Sequence, residues 1–176
     1  MHLKKIRLLD FFRTGKLASV EIGMPQEAVF AEMGQPDRWI DEDGKVNKSP
    51  FVATQAIIWG YEAIELCWLK PETGLHMISF SVDALHWPSP TIKIDQWIFH
   101  KSKSKSWTRS NLKSALDKAE IPYRDTGLEI VVCETDDPFG TLVLNSGVQV
   151  RYGQDDHIIK VSMPGRWLFK GTEPST

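Results

Sequence analysis

Two pairs of adjacent carboxylates and one acidic triplet are the clearest candidates for chemistry in this chain. The pairs are Asp136 with Asp137 and Asp155 with Asp156, and the triplet is Asp41, Glu42 and Asp43. Two carboxylates can divide the roles of general acid and general base. Adjacent side chains on a turn diverge, however, and Asp favours turns because it hydrogen-bonds nearby backbone. We therefore interpret all three clusters as acidic turns; in the triplet, Val52 stands where a calcium loop needs an acid.

The cysteines and histidines could supply a nucleophile with its base, or a metal site. Cys133 and His157 could form the first, although a buried structural cysteine is the simpler interpretation. The histidines at positions 76, 86 and 100 lack the short spacing that gathers metal ligands. The usual nucleotide, hydrolase and zinc motifs do not occur either. We expect no catalytic residue, no metal and no cofactor, and we expect Cys67 and Cys133 to be reduced thiols.

The net charge of the chain is small, but its charged residues are unevenly placed. The 176 residues carry a formal net charge of −2, which argues against a general nucleic-acid binder. Residues 21–43 hold seven acids against one base, and residues 120–157 hold eight against two. Residues 101–118 are basic, and their Lys-Ser run beside Trp107 could contact nucleic acid, but a linker or solvated loop explains it better. Such blocks favour separate acidic and basic surface regions.

Tryptophans add a second kind of binding candidate. Of the seven in the chain, Trp39 and Trp87 fall in predicted loops, where they could anchor a partner or cap sheet edges. Together with the acids they make up the predicted partner-binding set: Trp39, Asp41, Glu42, Asp43, Trp87, Glu134, Asp136, Asp137, Asp155 and Asp156.

Three helices and a series of strands must position these residues. Helices are predicted over residues 3–13, 25–33 and 108–119. The last has the strongest pattern, with Leu112 and Leu116 on one face and Thr108 or Ser110 as the N-cap. Residues 40–55 are typical of a long loop. Alternating apolar residues predict strands near 64–68, 78–82, 91–99, 128–134, 141–145, 148–152 and 157–163.

These elements predict an α+β fold in one domain, with helices packed on one face of an antiparallel sheet. The order of a helix, a proline and then strands occurs twice. The halves 17–100 and 107–168 are therefore candidates for two tandem helix-plus-strands units, which is weak evidence for a duplication.

Two short stretches resemble known families. Gly23-Met24, Val29 and the Gly34-Gln35-Pro36 exit resemble the helix-and-sheet repeat of β-lactamase inhibitor protein and of bacterial outer-membrane-assembly lipoproteins. Asp10-Phe11 followed by Gly15-Lys16 is similar to the opening of cytoplasmic immunity proteins of toxin–immunity systems, including contact-dependent growth inhibition. The second resemblance implies a protein that binds and blocks one toxin.

The sequence thus predicts a non-catalytic, cytoplasmic protein-binding protein, most specifically an immunity protein for a cognate toxin such as a nuclease with a basic active site. An acidic inhibitor surface would compete there with the phosphate backbone. Direct nucleic-acid binding and membrane association are not expected. Two alternatives remain open: a small enzyme with a cleft between the two halves, and a nucleic-acid or small-molecule-binding accessory protein.

Overall fold

The chain forms eleven short strands and three helices within the residues that the computed structural model describes, namely 4–47, 55–61, 63–81, 92–95, 107–129 and 139–165. The helices are α1 (Leu8–Thr14), α2 (Gln26–Met33) and α3 (Arg109–Lys118). The strands are β1 (Lys4–Arg7), β2 (Arg38–Asp41), β3 (Val46–Asn47), β4 (Ala56–Tyr61), β5 (Ile64–Cys67), β6 (Met77–Ser81), β7 (Ile92–Asp95), β8 (Tyr123–Glu129), β9 (Phe139–Leu144), β10 (Gln149–Gly153) and β11 (Ile158–Pro164).

Nine of these strands form one antiparallel sheet in the order β3-β2-β4-β5-β6-β11-β10-β9-β8. In each half of the chain a helix precedes a run of strands that pair mainly with their neighbours in sequence. The two halves join where β6 pairs with β11. A separate parallel pair, β1 with β7, lies outside this sheet.

The core lies on one face of the sheet, beneath the helices. Residues opposite one another in six successive strands form a fully buried row: Leu142, Val150, Val161, Phe80, Ile64 and Tyr61. The ring of Phe11 in α1 meets Phe80 edge-on, with centroids 4.9 Å apart. Phe30 in α2 packs likewise against Trp59, at 6.3 Å. The predicted α+β fold with helices on one face of an antiparallel sheet is confirmed.

The helix α3 follows its sequence signals closely. The Thr108 side chain accepts a hydrogen bond from the Asn111 backbone N–H at 3.2 Å, which makes Thr108 the N-cap. Leu112 and Leu116 are fully buried in the core. Local signals suffice here because a cap and an apolar stripe are both contained in ten consecutive residues.

Two predictions near the N-terminus need correction. Residues 3–13 do not form one helix, because residues 4–7 are β1 and the helix begins only at Leu8. Residues 40–55 are not all loop, because β2 and β3 form a hairpin there. Trp39 accordingly lies in a strand rather than a loop, and only 5% of it is exposed. β1 pairs with β7, far away in the sequence, and β2 and β3 have only four and two residues, so local periodicity reveals none of the three.

Some predictions fall outside the described residues. These are the strand residues 130–134, the outer parts of the strand predicted over 91–99, the Lys-Ser run at 101–106, and the candidates Trp87, Glu134, Asp136 and Asp137. The duplication stays a prediction.

Candidate functional site

The acidic triplet lies in the tight turn that joins β2 to β3. Asp41 shapes this turn: its Oδ1 accepts the Lys45 backbone N–H at 2.8 Å, and its Oδ2 accepts the Asn47 amide at 3.3 Å. Gly44 completes the turn with φ +79°, a conformation that favours glycine. Glu42 and Asp43 are left exposed at the tip. Within the described residues, neither of these two acids takes part in an ion pair.

The base of this hairpin is fixed on both faces of the sheet. Trp39 lies opposite Trp59 on the inner face, and Trp59 in turn packs on Trp68 with ring centroids 4.6 Å apart. On the outer face, Arg38 crosses Gly60 and forms an ion pair with Glu65 at 3.0 Å. A side chain at position 60 would collide with Arg38, since an added Cβ would lie 2.6 Å from its Cγ. Trp39 therefore supports the hairpin from the core instead of presenting a ring to a partner.

The second acidic turn, between β10 and β11, holds the start of α3 in place. Asp155 Oδ1 accepts the His157 backbone N–H at 3.1 Å. Asp156 has φ +66°, and its Oδ2 accepts hydrogen bonds from the Ser110 hydroxyl at 2.7 Å and the Ser110 N–H at 3.2 Å. A carboxylate at the first turn of a helix satisfies free N–H groups and the helix dipole. Asp156 is thus engaged within the fold, and Asp155 is the more exposed of the pair.

A polar network that the sequence did not reveal lies beneath this turn, around Asp125. Arg109 donates through Nε and Nη2 to Asp125 Oδ2, at 2.9 and 2.6 Å. The Tyr152 hydroxyl donates to Oδ1 at 2.6 Å, and Lys113 approaches Oδ2 at 3.2 Å. The Arg109 guanidinium also stacks on the Tyr152 ring, 4.6 Å from its centroid. No short motif joins these residues, so spacing gave no signal for them.

The network fixes the ionisation of its members. Burial alone would raise the pKa of Asp125, but hydrogen bonds from Tyr152 and Arg109 hold it well below its usual range. Burial, together with the hydrogen bond to Asp125, raises the pKa of Tyr152 to about 12. Gly140 makes room for this arrangement, because an added Cβ would lie 2.3 Å from the Tyr152 hydroxyl oxygen. We assign the network a structural role, in which each charge has its partner.

The two acidic turns lie at opposite ends of the sheet. Successive strands from β2 to β10 are all antiparallel, so β2 and β10 run in opposite directions. Each turn follows the C-terminal end of its strand. Four strand spacings of about 4.8 Å also separate β2 from β11. The acids of the two turns therefore cannot form one continuous patch.

An open groove of about 810 Å³ lies at the same end of the sheet as the β2–β3 hairpin. Register places Ile40, Cys67, Met77 and Pro164 in one row, so β2, β5, β6 and β11 share this end. The groove is lined by residues 14–16 at the end of α1, residues 21–23, the β5–β6 loop and residues 163–165. Its apolar surface comes from Ile22, Leu69, Leu75, Met163 and Pro164.

Glycines permit the close contacts around this groove. Gly15 ends α1 with φ +71°, and an added Cβ would meet the Met163 side chain at 3.2 Å. An added Cβ at Gly74 would lie 2.4 Å from the carbonyl oxygen of Gly23. The β5–β6 loop and residues 21–23 therefore touch through their backbones. In the sequence, the Gly23-Met24-Pro25 turn indicated a change of chain direction here, but it did not predict a groove.

The groove's polar groups are largely committed to other contacts. Lys16 and Glu21 form an ion pair at 2.5 Å, with each side chain about half exposed. The hydroxyl of Thr14 donates to the Asp10 carbonyl, and that of Thr73 donates to the Lys70 carbonyl, both at 2.7 Å. Among the described residues that line the groove, His76 is the single histidine.

Metal and thiol chemistry find little support in the described ranges. There, no group of three or more His, Cys, Asp or Glu side chains is placed to hold a metal ion. Cys67 is a free thiol, and burial with the nearby Glu65 charge raises its pKa to about 11, which disfavours the reactive thiolate. Cys133, the other half of the predicted pair with His157, lies outside these ranges.

Comparisons with known proteins identify no relative, so a functional conclusion must be based on the fold and on this surface. No family model matches the chain, and no curated protein or solved structure matches it. None of the helices in the described ranges is long and apolar enough to cross a membrane.

Proposed function

We propose that this chain is a non-catalytic protein-binding protein, most specifically a cytoplasmic immunity protein that binds and neutralises a cognate bacterial toxin. The observation that carries the proposal is the β2–β3 hairpin. It presents Glu42 and Asp43 at an exposed tip, while Trp39 and Arg38 hold its base in the core and across the sheet. The partner that fits such a tip is a protein with a basic cleft, such as a nuclease.

A rigid acidic tip suits inhibition of a basic site for two physical reasons. Complementary charge speeds association, because it steers the partners before contact. A turn that is fixed by its own hydrogen bonds also loses less entropy on binding than an unstructured loop would. Inserted into a nuclease cleft, the carboxylates would occupy the positions that phosphates otherwise take.

The enzyme alternative is supported less well. The groove does lie where β6 and β11 join the two halves, as that alternative expects. Its two threonine hydroxyls, however, are hydrogen-bonded to backbone carbonyls, and Lys16 and Glu21 are paired with each other. A nucleophile must instead donate its hydrogen bond to a base, and these two hydroxyls donate theirs to carbonyl oxygens.

The proposal expects a toxin gene next to the gene for this chain, and a neighbourhood without one contradicts it. The binding test then uses the toxin domain of that neighbouring gene, with association followed at low and high salt. We expect Glu42→Lys with Asp43→Lys to slow association about tenfold at low salt, and the difference to shrink as salt rises. Asp155→Lys reverses an exposed acid at the opposite end of the sheet and should leave the association rate nearly unchanged. Wild-type protein that neither binds this domain nor protects cells from it contradicts the proposed function.

A further inference from the structure

The groove beside the acidic hairpin has an exposed apolar lip. Leu69 follows Trp68 at the start of the β5–β6 loop, and 63% of it is exposed. Leu69 and the adjacent Lys70 are both exposed, so packing in the core does not account for the apolar side chain of Leu69. Behind it the groove wall continues as Ile22 and Leu75. Leu69 thus extends the contiguous apolar surface of the groove, and contiguous exposed apolar surface marks a protein-binding site.

The charged residues of the groove limit the kind of partner side chain that it can bind. Lys16 and Glu21 neutralise each other on the wall, so this pair attracts neither an anion nor a cation. The neighbouring hairpin tip, in contrast, adds two acids without an ion-pair partner in the described part of the chain. An apolar side chain flanked by basic residues complements both features at once.

The spacing allows one partner to cover hairpin and groove together. β2 is two strands from β5 and four strands from β11, which corresponds to roughly 10–20 Å across the sheet. A standard protein interface buries about 800 Å² on each partner and is wider than this distance. The two features therefore fit within a single footprint.

We propose that the groove anchors an apolar side chain from a basic surface loop of the same toxin that the hairpin attracts. This inference rests on the proposed function and adds a division of labour. The hairpin governs how fast the partners meet, and the groove governs how long they stay together. Contacts in a desolvated pocket act mainly on dissociation, whereas exposed charges act mainly on association.

The experiment measures dissociation of the complex with the adjacent-gene toxin domain. Leu69→Asp places a charge on the lip and should speed dissociation at least tenfold, whereas association with a basic partner should not slow, because the added acid has the same sign as the hairpin tip. Leu69→Met keeps an apolar lip of similar volume and should dissociate nearly as slowly as the parent. Leu128→Asp is the matched control, since Leu128 is 54% exposed on the edge strand β8 at the far side of the sheet.

The outcomes separate the two proposals. Faster dissociation for Leu69→Asp alone, with an unchanged melting temperature, supports the groove as the anchor. A complex that dissociates at the parental rate in Leu69→Asp, or equally fast in Leu128→Asp, overturns the groove inference and leaves the proposed function standing. Failure of the wild-type protein to bind the toxin domain at all overturns both.

Discussion

At the scale of single residues, Asp125 has more side-chain hydrogen bonds than any of the predicted acids that the structure describes. Its side chain is only 17% exposed, yet it stays charged because Arg109, Lys113 and the Tyr152 hydroxyl all donate to it. A half-buried carboxylate without such donors would be costly, since the charged form would lose its hydration. The network therefore joins α3 to β8 and β10 through one fully satisfied charge.

This carboxylate makes stability depend on pH in a defined direction. The folded state holds the pKa of Asp125 below its usual range, so its stabilising effect is complete above about pH 4, near the unfolded-chain value. The effect is lost as the pH falls toward the folded-state pKa. We expect Asp125→Asn to lower the free energy of unfolding by about 1–3 kcal/mol at pH 7 and by less at pH 3. Urea unfolding at both pH values measures this, and an equal deficit at pH 3 and pH 7 would contradict the ionised network.

The predicted acids show why residue type alone does not define a binding site. Asp41 and Asp156 were both predicted to bind a partner, yet one shapes its own turn and the other caps α3 through Ser110, 46 residues away. Aspartate suits turns, caps and interfaces equally well, because each use needs the same acceptor oxygens. Among the predicted acids that the structure describes, exposure in the folded chain distinguishes Glu42, Asp43 and Asp155 from Asp41 and Asp156, and the sequence does not contain that information.

At the scale of elements, α3 is the best case for prediction and carries a clear mutational expectation. Leu116 is fully buried between the helix and the sheet, so Leu116→Ala should lower the free energy of unfolding by about 2–5 kcal/mol. Lys118→Ala, on an exposed position of the same helix, should change it by less than about 0.5 kcal/mol. Thermal or urea unfolding of both variants checks the assignment. Equal stability of the two variants would mean that this helix does not pack as described.

The strands divide into those that local pattern reveals and those that it does not. β5 and β6 alternate apolar and polar residues in the sequence and were predicted; β5 is buried on one face, and in β6 the polar Ser79 is buried together with Ile78 and Phe80. β1 was taken for helix, since its strand conformation depends on pairing with β7, nearly ninety residues later. The β2–β3 hairpin was taken for loop because its strands have only four and two residues. The groove was not predicted, because it depends on where these strands end, whereas the acidic triplet of the hairpin turn was predicted from its residue types.

At the scale of the whole molecule, the two halves repeat one local arrangement. In the first half, the backbone just before α2 bonds the residue just before β6, with Gly23 N–H donating to the Leu75 carbonyl at 2.8 Å. In the second half, Arg109 N–H at the start of α3 donates to the Asp156 carbonyl just before β11, also at 2.8 Å. In both halves, the backbone at the start of the helix is thus hydrogen-bonded to the backbone just before the last strand of that half. This is the pattern that a duplication would leave, and homologous sequences of each half would test it.

The junction between the halves decides whether they unfold together. β6 and β11 pair over five residues, and Val161 packs opposite Phe80 in the fully buried row that continues on both sides of the junction. Because the core does not stop there, we expect one cooperative unfolding transition. Hydrogen exchange of the β4 and β5 amides reports on the first half, and hydrogen exchange of the β9 and β10 amides reports on the second. The two probes should give the same midpoint in urea, and a Val161→Ala variant should lower both midpoints equally. Separate midpoints, or a shift confined to the second half, would show instead that the halves are independent domains joined edge to edge.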